Sequence, residues 1–268
     1  MTFKEKYGPW VVIAGSAEGL GEAWSRVLAK RKLNLVMIDH QEEKLHQLSK
    51  ELEETQGIST LCLTLDLSEN NAADLILKEI ETLNCRLLVY NAAFSIVKPF
   101  LAIDYEDLDN FVDINIRTQL KLVHAFSKKL TEKGTGGGII MMSSLAGLLG
   151  MQLVAPYAAT KAFAWNLAEA LHHELKDHDI DVMACIAGAT STPAYLETNP
   201  YYGSIKPQVM PPDKVAEAAL KKLGKKTLFI AGRSNRINYF ILTSLLPRKL
   251  ASRIANNTMW NMYKNNFQ

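Results

Sequence analysis

Residues 14–21 read Ala14-Gly15-Ser16-Ala17-Glu18-Gly19-Leu20-Gly21, directly after the apolar run Trp10–Ala14 and at the start of an amphipathic stretch. Glycines between a strand and a helix permit a tight turn and let a pyrophosphate approach the free N–H groups of the helix N-terminus. A glycine turn alone is a weak signal, because glycines also end strands for structural reasons. Asp39 closes the next apolar run, 18 residues after Gly21, where a carboxylate can bind the adenosine ribose. Together they predict dinucleotide binding.

Apolar runs alternate with amphipathic stretches along the chain, which is typical of βαβ units around a parallel sheet. Most of these runs are apolar on both faces, as strands covered by helices on both sides should be. The predicted strands are Trp10–Ala14, Asn34–Ile38, Ser59–Leu65, Arg86–Tyr90, Gly138–Met142, Asp181–Ile186 and Thr227–Ile230, and the predicted helices cover residues 19–31, 41–55, 68–82, 103–131, 156–177 and 212–223. We therefore predict an α/β fold with a doubly wound (Rossmann), seven-stranded parallel sheet, helices on both faces and a helical C-terminal extension.

The length of 268 residues suits one large domain with a substantial core. We expect residues 1–231 to form a dinucleotide-binding domain that carries the active site, and residues 232–268 to form a basic helical extension packed on it. Residues 187–212, with five prolines and several tyrosines, predict an irregular loop over a site.

A second constellation is Ser143-Ser144 followed by Tyr157-Ala158-Ala159-Thr160-Lys161. Tyr157 and Lys161 are four residues apart, so on a helix they share one face and the ammonium group lies near the phenol. A nearby cation stabilises a phenolate and lowers the pKa of the tyrosine towards the range of a general acid or base. Ser144 ends the predicted fifth strand, from which its hydroxyl can reach the same substrate oxygen. The pair alone is commonplace, and a surface helix pair is the alternative interpretation; its combination with the glycine turn is far less common.

In order along the chain, these motifs resemble those of the short-chain dehydrogenase/reductase family over roughly residues 8–193. Further matches are Asp66-Leu67 after the third strand, Tyr90-Asn91-Ala92-Ala93 after the fourth, Asn115 in the long helix, and Ala187-Gly188 with Thr192 after the sixth. The resemblance implies an oxidoreductase with a nicotinamide cofactor. The cofactor-binding positions that we infer are Gly15, Ser16, Glu18, Gly19, Leu20, Gly21, Asp39, Asp66, Leu67, Asn91, Ala92, Ala93, Tyr157, Lys161, Gly188, Thr190 and Thr192.

The resemblance also implies four catalytic residues: Asn115, Ser144, Tyr157 and Lys161. Tyr157 would exchange the proton with the substrate oxygen, and Ser144 would hold that oxygen in place. Lys161 would bind the nicotinamide ribose and lower the pKa of Tyr157. Asn115 would support a water that links Lys161 to solvent.

Three positions depart from the family pattern: Ala14 replaces a usual Thr, Ala93 a usual Gly and Ala187 a usual Pro. The Thr hydroxyl normally helps tie the first turn to the segment after the fourth strand, so Ala14 removes a hydrogen bond worth about 1 kcal/mol. These departures put the affinity for the cofactor in question, and none touches the proton or hydride path.

The choice of cofactor depends on the charge at the end of the second strand. A 2′-phosphate needs a cation there or inside the glycine turn, and these places hold Asp39, His40 and Glu18. We therefore expect NAD in preference to NADP, with a protonated His40 as the feature that would favour NADP.

The residues able to line a pocket above the nicotinamide are nearly all apolar or aromatic: Ile96, Val97, Phe100, Leu145, Leu148, Leu149, Ala189, Tyr195, Leu196, Tyr201 and Tyr202. The set lacks an Arg or Lys to clamp a carboxylate or phosphate, which favours a lipophilic substrate. We expect an NAD-dependent oxidoreductase that interconverts a lipophilic secondary alcohol and ketone. Two alternatives are a nucleotide-binding sensor or scaffold protein of the same fold and an NADP-dependent carbonyl reductase.

The net charge of +2 hides an uneven distribution. Residues 1–220 hold 20 Lys and Arg against 28 Asp and Glu, or −8, whereas residues 221–268 hold 10 Lys and Arg and no acid, or +10. A helical cover that packs on the acidic body and also helps close the substrate site is one interpretation of this tail. A peripheral contact with anionic lipid or a lipid-linked substrate is the other.

The remaining expectations concern partners and location. Long helices with small residues favour a homodimer or homotetramer. We expect no nucleic acid, because the tail lacks a clustered basic face with stacking aromatics. We expect no metal, because Cys62, Cys85 and Cys185 are isolated, and they are most simply core residues. The polar N-terminus and the absence of a long apolar stretch indicate a cytoplasmic protein.

Overall fold

Seven parallel strands form one sheet in the computed structural model, which describes residues 2–202 and 207–267. The strand order is β3-β2-β1-β4-β5-β6-β7. The strands are β1 (Trp10–Ala14), β2 (Asn34–Asp39), β3 (Thr60–Thr64), β4 (Cys85–Tyr90), β5 (Gly137–Ser144), β6 (Ile180–Ala187) and β7 (Leu228–Ile230). The predicted doubly wound sheet is confirmed, with every predicted strand present and its ends moved by at most two residues.

Strand β1 shows why the predicted strands are apolar throughout. Successive side chains of a strand point to opposite faces of the sheet. Val11 and Ile13 are buried in the core layer that contains Trp24, whereas Val12 is buried in the layer that contains Phe126. Both faces are therefore packed, and a strand with an alternating polar pattern could not occupy this position.

Helices cover both faces of the sheet. They are α1 (Phe3–Tyr7), α2 (Gly19–Ala29), α3 (Glu42–Gln56), α4 (Ala72–Glu79), α5 (Tyr105–Val112), α6 (Gln119–Lys133), α7 (Ala155–Glu174), α8 (Pro193–Glu197), α9 (Pro212–Leu220), α10 (Arg233–Phe240) and α11 (Arg248–Tyr263). Helix α1 was not predicted, although its signal is in the sequence. The Thr2 hydroxyl accepts a hydrogen bond from the Glu5 N–H and the Glu5 carboxylate accepts one from the Thr2 N–H, which is a capping box.

The helix predicted over residues 103–131 is present as α5 and α6, but its α-helical winding is interrupted. A π-helical turn, Asp113–Thr118, separates α5 from α6. Such a turn inserts one extra residue into the helical winding and is frequent at functional sites. The Tyr90 hydroxyl at the end of β4 donates to the carbonyl oxygen of Ile114 in this turn at 2.6 Å. The turn is therefore fixed against the carboxyl edge of the sheet.

The sequence predicts an irregular loop over residues 187–212, but the segment is not irregular throughout. It contains α8, whose N-terminus is capped by the Thr192 hydroxyl accepting from the Tyr195 N–H at 3.3 Å. Thr190 forms an isolated bridge with Met210, which closes the segment into a loop. Residues 203–206 of this predicted loop lie outside the described residues.

The C-terminal extension is helical, as predicted. It consists of α10, a second π-helical turn (Ile241–Leu245) and α11. The extension packs on the body through Leu149, which forms a small buried cluster with Ala251 and Ala255. The division of the chain at residue 231 stays a prediction.

The ten cations of residues 221–268 fall into two groups along the chain. Four lysines, at positions 221, 222, 225 and 226, precede β7, and Gly224 among them packs beside Asp181 near the start of β6. The other six cations fall in residues 232–268, which hold no acid. In the described part of that segment, residues 232–267, none of them forms an ion pair.

Candidate active site

The carboxyl edge of the sheet collects the predicted site residues. In the strand register, Ala14 pairs with Ile38 on one side and with Tyr90 on the other. Farther along the sheet, Ser144 pairs with Ala187. The chain direction across the sheet reverses between β1 and β4, and ligands of doubly wound folds bind in the crevice at this switch point. The glycine turn lies there.

The glycine turn is held by contacts that leave no room for a side chain at Gly15. Its φ of +76° is left-handed, and a Cβ on it would lie 2.6 Å from the Cα of Ala92. The Gly15 N–H donates to the Ile38 carbonyl at 2.8 Å, and the Asn91 side-chain amide donates to the Gly15 carbonyl at 2.7 Å. The turn is thus fastened to the ends of both neighbouring strands.

A cleft of about 330 Å³ opens beside this turn. It is lined by Gly15, Glu18, Gly19, Leu20, Asp39, His40, Gln41, Leu65, Asp66, Leu67, Asn91, Ala92, Ala93, Phe94, Ile114, Thr192, Pro193 and Ala194. No side chain caps the N-terminus of α2, so its first-turn N–H groups are available to an anion. Uncapped N–H donors, an acid at the end of β2 and an apolar wall fit a dinucleotide.

Eleven of the predicted cofactor positions line this cleft, and the others lie elsewhere. Ser16 is fully buried, and its hydroxyl donates to the Ile38 carbonyl, so its side chain supports the turn. Gly21 packs against the Gly15 carbonyl. Gly188 packs against Asn235 of α10. Seven further lining residues were not among the predicted cofactor-binding positions: His40, Gln41, Leu65, Phe94, Ile114, Pro193 and Ala194.

Asp39 is only 7% exposed, and each of its carboxylate oxygens accepts a backbone hydrogen bond. One accepts from the Ala17 N–H at 2.9 Å and the other from the Gln41 N–H at 3.1 Å. Lys44, from α3, donates to Glu18 at 2.6 Å. The Lys44 ammonium group is therefore already paired with an acid of the turn.

Lys161 lies on α7 with its side chain in the core. Its Nζ donates to the Met142 carbonyl at 3.0 Å and lies 5.6 Å from the centre of the Tyr157 ring. The residue is 4% exposed, and burial lowers the pKa of Lys161 to about 8. A cation held this close to a phenol in a dry site is suited to binding sugar hydroxyls and to stabilising a phenolate.

Tyr157 is held on the same face of α7. Burial raises the pKa of Tyr157, and a hydrogen bond with the Ser144 side chain opposes this rise. Lys161 is not among the causes of this shift, so the lowering of the pKa of Tyr157 by Lys161 stays a prediction. Ser144 ends β5, and its Oγ also accepts from the Ala146 N–H at 3.2 Å. Ser144 therefore ends the strand against which α7, the helix that carries Tyr157, packs.

Asn115 lies in the π-helical turn and is 3% exposed. Its Oδ1 accepts from the Phe94 N–H at 2.7 Å, and its Nδ2 donates to the Phe94 carbonyl at 2.9 Å. The same Nδ2 donates to the Thr160 hydroxyl at 3.0 Å, which in turn donates to the Tyr157 carbonyl at 2.9 Å. The side chain of Asn115 therefore connects the segment after β4 to α7, and its predicted water-supporting role stays a prediction.

Ala14 was expected to weaken the link between the first turn and the segment after β4. The backbone carries this link: the Asn91 and Ala92 N–H groups donate to the Ala14 carbonyl at 3.0 and 2.8 Å. The link therefore survives the loss of a threonine hydroxyl.

The residues predicted for the substrate pocket differ in exposure. Leu149 is buried, whereas Phe100, Leu196 and Tyr201 are each more than half exposed.

Two of the three cysteines are buried, and desolvation raises the pKa of Cys85 to about 11 and that of Cys185 to about 12. Thiols with such pKa values are poor nucleophiles, in keeping with a packing role.

Within residues 2–202 and 207–267, no group of three or more His, Cys, Asp or Glu is placed to hold a metal ion. No described helix combines the length and the apolar character that a membrane span requires.

Comparison with known proteins places this geometry in a family. The sequence model of the short chain dehydrogenases matches residues 9–202. The 7beta-hydroxysteroid dehydrogenase of Clostridium sardiniense is 32% identical over 236 residues, which are 88% of this chain and 90% of that protein. A solved 7beta-hydroxysteroid dehydrogenase structure superimposes with a TM-score of 0.87 at 29% identity, covering 95% of this chain and 99% of that one.

A more distant structure, a short-chain dehydrogenase from Sphingobium yanoikuyae in complex with NADPH, shares the fold with a TM-score of 0.75. It is 24% identical and covers 84% of this chain and 87% of its own. The chain therefore belongs to the short chain dehydrogenase family, and it is an oxidoreductase of that family that acts on CH–OH groups.

Proposed function

We propose that this protein interconverts a lipophilic secondary alcohol and its ketone, with NAD as cofactor and Tyr157 as the general acid and base. The observation that carries the proposal is the position of the buried Lys161 ammonium, 5.6 Å from the centre of the Tyr157 ring on a helix packed against β5, the strand that ends in Ser144. A sensor protein of this fold would need the cleft but not the triad.

The proton chemistry follows from the raised pKa of Tyr157. A phenol whose pKa is raised stays protonated at neutral pH, so Tyr157 can donate its proton to a ketone oxygen during reduction. Ser144 donates a hydrogen bond to the same oxygen and orients it. The bound cofactor supplies hydride to the substrate carbon in reduction and accepts it in oxidation.

Lys161 and Asn115 support this step without exchanging the proton themselves. Lys161 would hold the nicotinamide ribose, and its charge would favour the phenolate that forms when the proton leaves Tyr157. Asn115 fixes α7 relative to the segment after β4 and thereby keeps Tyr157 in place.

NAD is the proposed cofactor because of Asp39. Its buried carboxylate lies in the cleft and would accept from the ribose hydroxyls, whereas a 2′-phosphate would meet a fixed negative charge. Lys44 cannot compensate freely, because it is paired with Glu18. The Sphingobium protein, which shares the fold, is in complex with NADPH, so the fold alone does not select NAD and the proposed preference rests on these residues.

The proposed substrate class is the fused-ring hydroxysteroid type. The apolar character of the predicted pocket residues supports it, as does the likeness to 7beta-hydroxysteroid dehydrogenases. The test is NADH formation from three alcohols: a hydroxysteroid, a hydroxyacyl thioester and a small aliphatic secondary alcohol. We expect the hydroxysteroid to give the highest kcat/KM. NADH binding without turnover of any alcohol would identify a sensor, and faster turnover with NADP would identify a carbonyl reductase of that specificity.

We further propose that the protein forms a homodimer or homotetramer through its long helices. Val112 and Leu120 are exposed apolar residues on α5 and α6, and burying such residues against a second copy would remove them from water. Sedimentation velocity across a range of protein concentrations measures the mass directly, and a concentration-independent monomer would refute the proposal.

A peripheral contact with anionic lipid is our proposal for the cations of residues 232–268. Those in the described segment form no ion pair with the acidic body, and Phe240, Ile241 and Leu245 beside them are exposed. Cations flanking exposed apolar side chains favour an anionic bilayer surface. Flotation with phosphatidylglycerol vesicles should be reduced by Lys249→Glu and not by Lys128→Glu, which reverses a charge on α6. Equal loss in both variants would argue against it. The cytoplasmic location expected from the sequence stays a prediction.

A further inference from the structure

Helix α11 contacts two segments that leave the carboxyl edge of the sheet on neighbouring strands. One segment, residues 145–153, follows Ser144 at the end of β5, and the other, residues 188–202, follows Ala187 at the end of β6. Ser144 and Ala187 are paired in the sheet, so both segments begin beside the Ser144 hydroxyl. Under the proposed function, on which this inference rests, they form two walls of the substrate site.

Asn256 of α11 binds the first wall through three hydrogen bonds. Its Oδ1 accepts from the Gln152 N–H at 2.7 Å, and its backbone carbonyl accepts from the Gln152 side-chain amide at 2.6 Å. Its Nδ2 donates to the Gly150 carbonyl at 2.9 Å. An amide whose oxygen and nitrogen both bond to one short segment fixes that segment's backbone. One turn earlier, Ala251 packs on Leu149 of the same wall.

The other end of α11 binds the second wall. The Tyr263 and Thr198 hydroxyls are 3.0 Å apart and hydrogen-bonded. The Tyr201 N–H donates to the Met262 carbonyl at 2.8 Å. Just after the helix, the Asn266 side-chain amide donates to the Thr198 carbonyl at 3.0 Å. Tyr263 is buried, so this attachment is shielded from water.

The two attachments are seven residues apart, which corresponds to about 10 Å along a helix. A helix is stiff over this distance, so it holds both walls at a constant separation. We propose that α11 sets the width of the substrate site, with Asn256 as the positioning residue of one wall and Tyr263 as that of the other. Neither residue touches the reacting atoms, so the selection of rigid, bulky alcohols over small ones depends on a helix outside the catalytic group.

The test compares Asn256→Ala with Asn257→Ala, which removes the exposed neighbouring amide from the same helix. Asn256→Ala loses both side-chain hydrogen bonds to the first wall. We expect the KM for a hydroxysteroid to rise at least about fivefold, the effect of losing one of them. The KM for a small aliphatic alcohol, the KM for NAD and kcat should change less than about twofold. Asn257→Ala should match the wild type. Asn256→Asp, which keeps the acceptor for the Gln152 N–H, should recover part of the hydroxysteroid KM.

Tyr263→Phe removes a single hydroxyl and tests the second wall independently, even if Asn256→Ala does not fold. It should shift the same ratio of KM values in the same direction. Equal changes for the rigid and the small alcohol in both variants, or no change, would overturn the proposal. Hydrogen exchange is a readout independent of turnover: Asn256→Ala should speed exchange at Gln152, and unchanged exchange would contradict the attachment. Absence of turnover in the wild type would instead count against the proposed function.

Discussion

Lys161 and strand β5 hold each other through two reciprocal hydrogen bonds. The Lys161 Nζ donates to the Met142 carbonyl at 3.0 Å, and the next residue along the strand, Ser143, donates its hydroxyl to the Lys161 carbonyl at 2.7 Å. The lysine backbone and its ammonium group are thus both fixed to the strand that ends in Ser144. These two bonds hold a charged group in the core, and burying that charge lowers the free energy of unfolding by a measurable amount.

The first prediction concerns the pH dependence of stability at Lys161. Its pKa in the folded chain, about 8, is lower than the ordinary lysine value of about 10.4. The cost of the buried charge is therefore fully present below pH 8 and disappears as the pH rises from 8 to about 10.4. Lys161→Met should be more stable than the wild type at pH 7 by up to about 3 kcal/mol, and this difference should shrink towards pH 10. Urea unfolding at both pH values measures it.

The control for this experiment is Lys50→Met, which changes an exposed lysine on α3. It should follow the pH dependence of the wild type. If Lys161→Met kept a constant advantage at pH 7 and pH 10, the cost would come from packing and not from charge.

The second prediction separates proton transfer from cofactor binding at Tyr157. Tyr157→Phe removes the exchangeable proton while keeping the ring, so kcat should fall by about 100-fold or more. NADH binding, followed by the quenching of protein fluorescence, should change less than about threefold, since one hydrogen bond at most is lost. Tyr105→Phe, at a tyrosine that is 87% exposed, serves as the control. Retained activity in Tyr157→Phe would refute the assigned role.

The third prediction concerns cofactor preference at Asp39. Asp39→Asn keeps the side-chain shape but removes the charge that repels a 2′-phosphate, so the NAD:NADP ratio of kcat/KM should fall at least about tenfold. Glu42→Gln, an exposed acid at the start of α3, should leave the ratio unchanged. A wild-type enzyme that already prefers NADP would contradict the assignment before any substitution is made.

The fourth prediction compares two glycines with similar backbone angles. Gly15 and Gly57 have φ values of +76° and +62°, but a Cβ at Gly57 would have no neighbour within 4 Å. Gly57→Ala should therefore cost only the backbone strain of about 1 kcal/mol. Gly15→Ala should cost a further 1–3 kcal/mol, approximately the penalty for overpacking, and should weaken NADH binding. Urea unfolding measures the first effect and fluorescence titration the second. Equal stability losses would show that crowding against Ala92 is unimportant.

Most of the sheet could be predicted from the sequence because its strands are apolar on both faces. The strand ends were located to within two residues, since the hydrophobic period changes where the chain leaves the core. The glycine turn, Asp39 and the Tyr157 and Lys161 pair were also readable, because their spacing is local. Each is a short pattern that can be recognised within one strand, turn or helix.

The features that the sequence did not reveal depend on distant contacts. The π-helical turn arises because Ile114 and Asn115 are bound to the segment around β4, more than 20 residues earlier. No periodicity records such a bond, and the apolar pattern of residues 103–131 suits a continuous helix. The attachment of Asn256 to Gln152 spans 104 residues, and an asparagine in a polar helix gives no local sign of it.

The π-helical turn between α5 and α6 acts as a spacer in the winding of the long helix. Such a turn contains one residue more than an α-helical turn. Removing one residue from Asp113–Thr118 would restore regular α-helical winding. It would also rotate α5 by about 100° relative to α6. The amide of Asn115 would then swing away from Phe94 and Thr160. The length of this segment, as much as the identity of its asparagine, decides whether α7 and the proton donor it carries are held at the edge of the sheet.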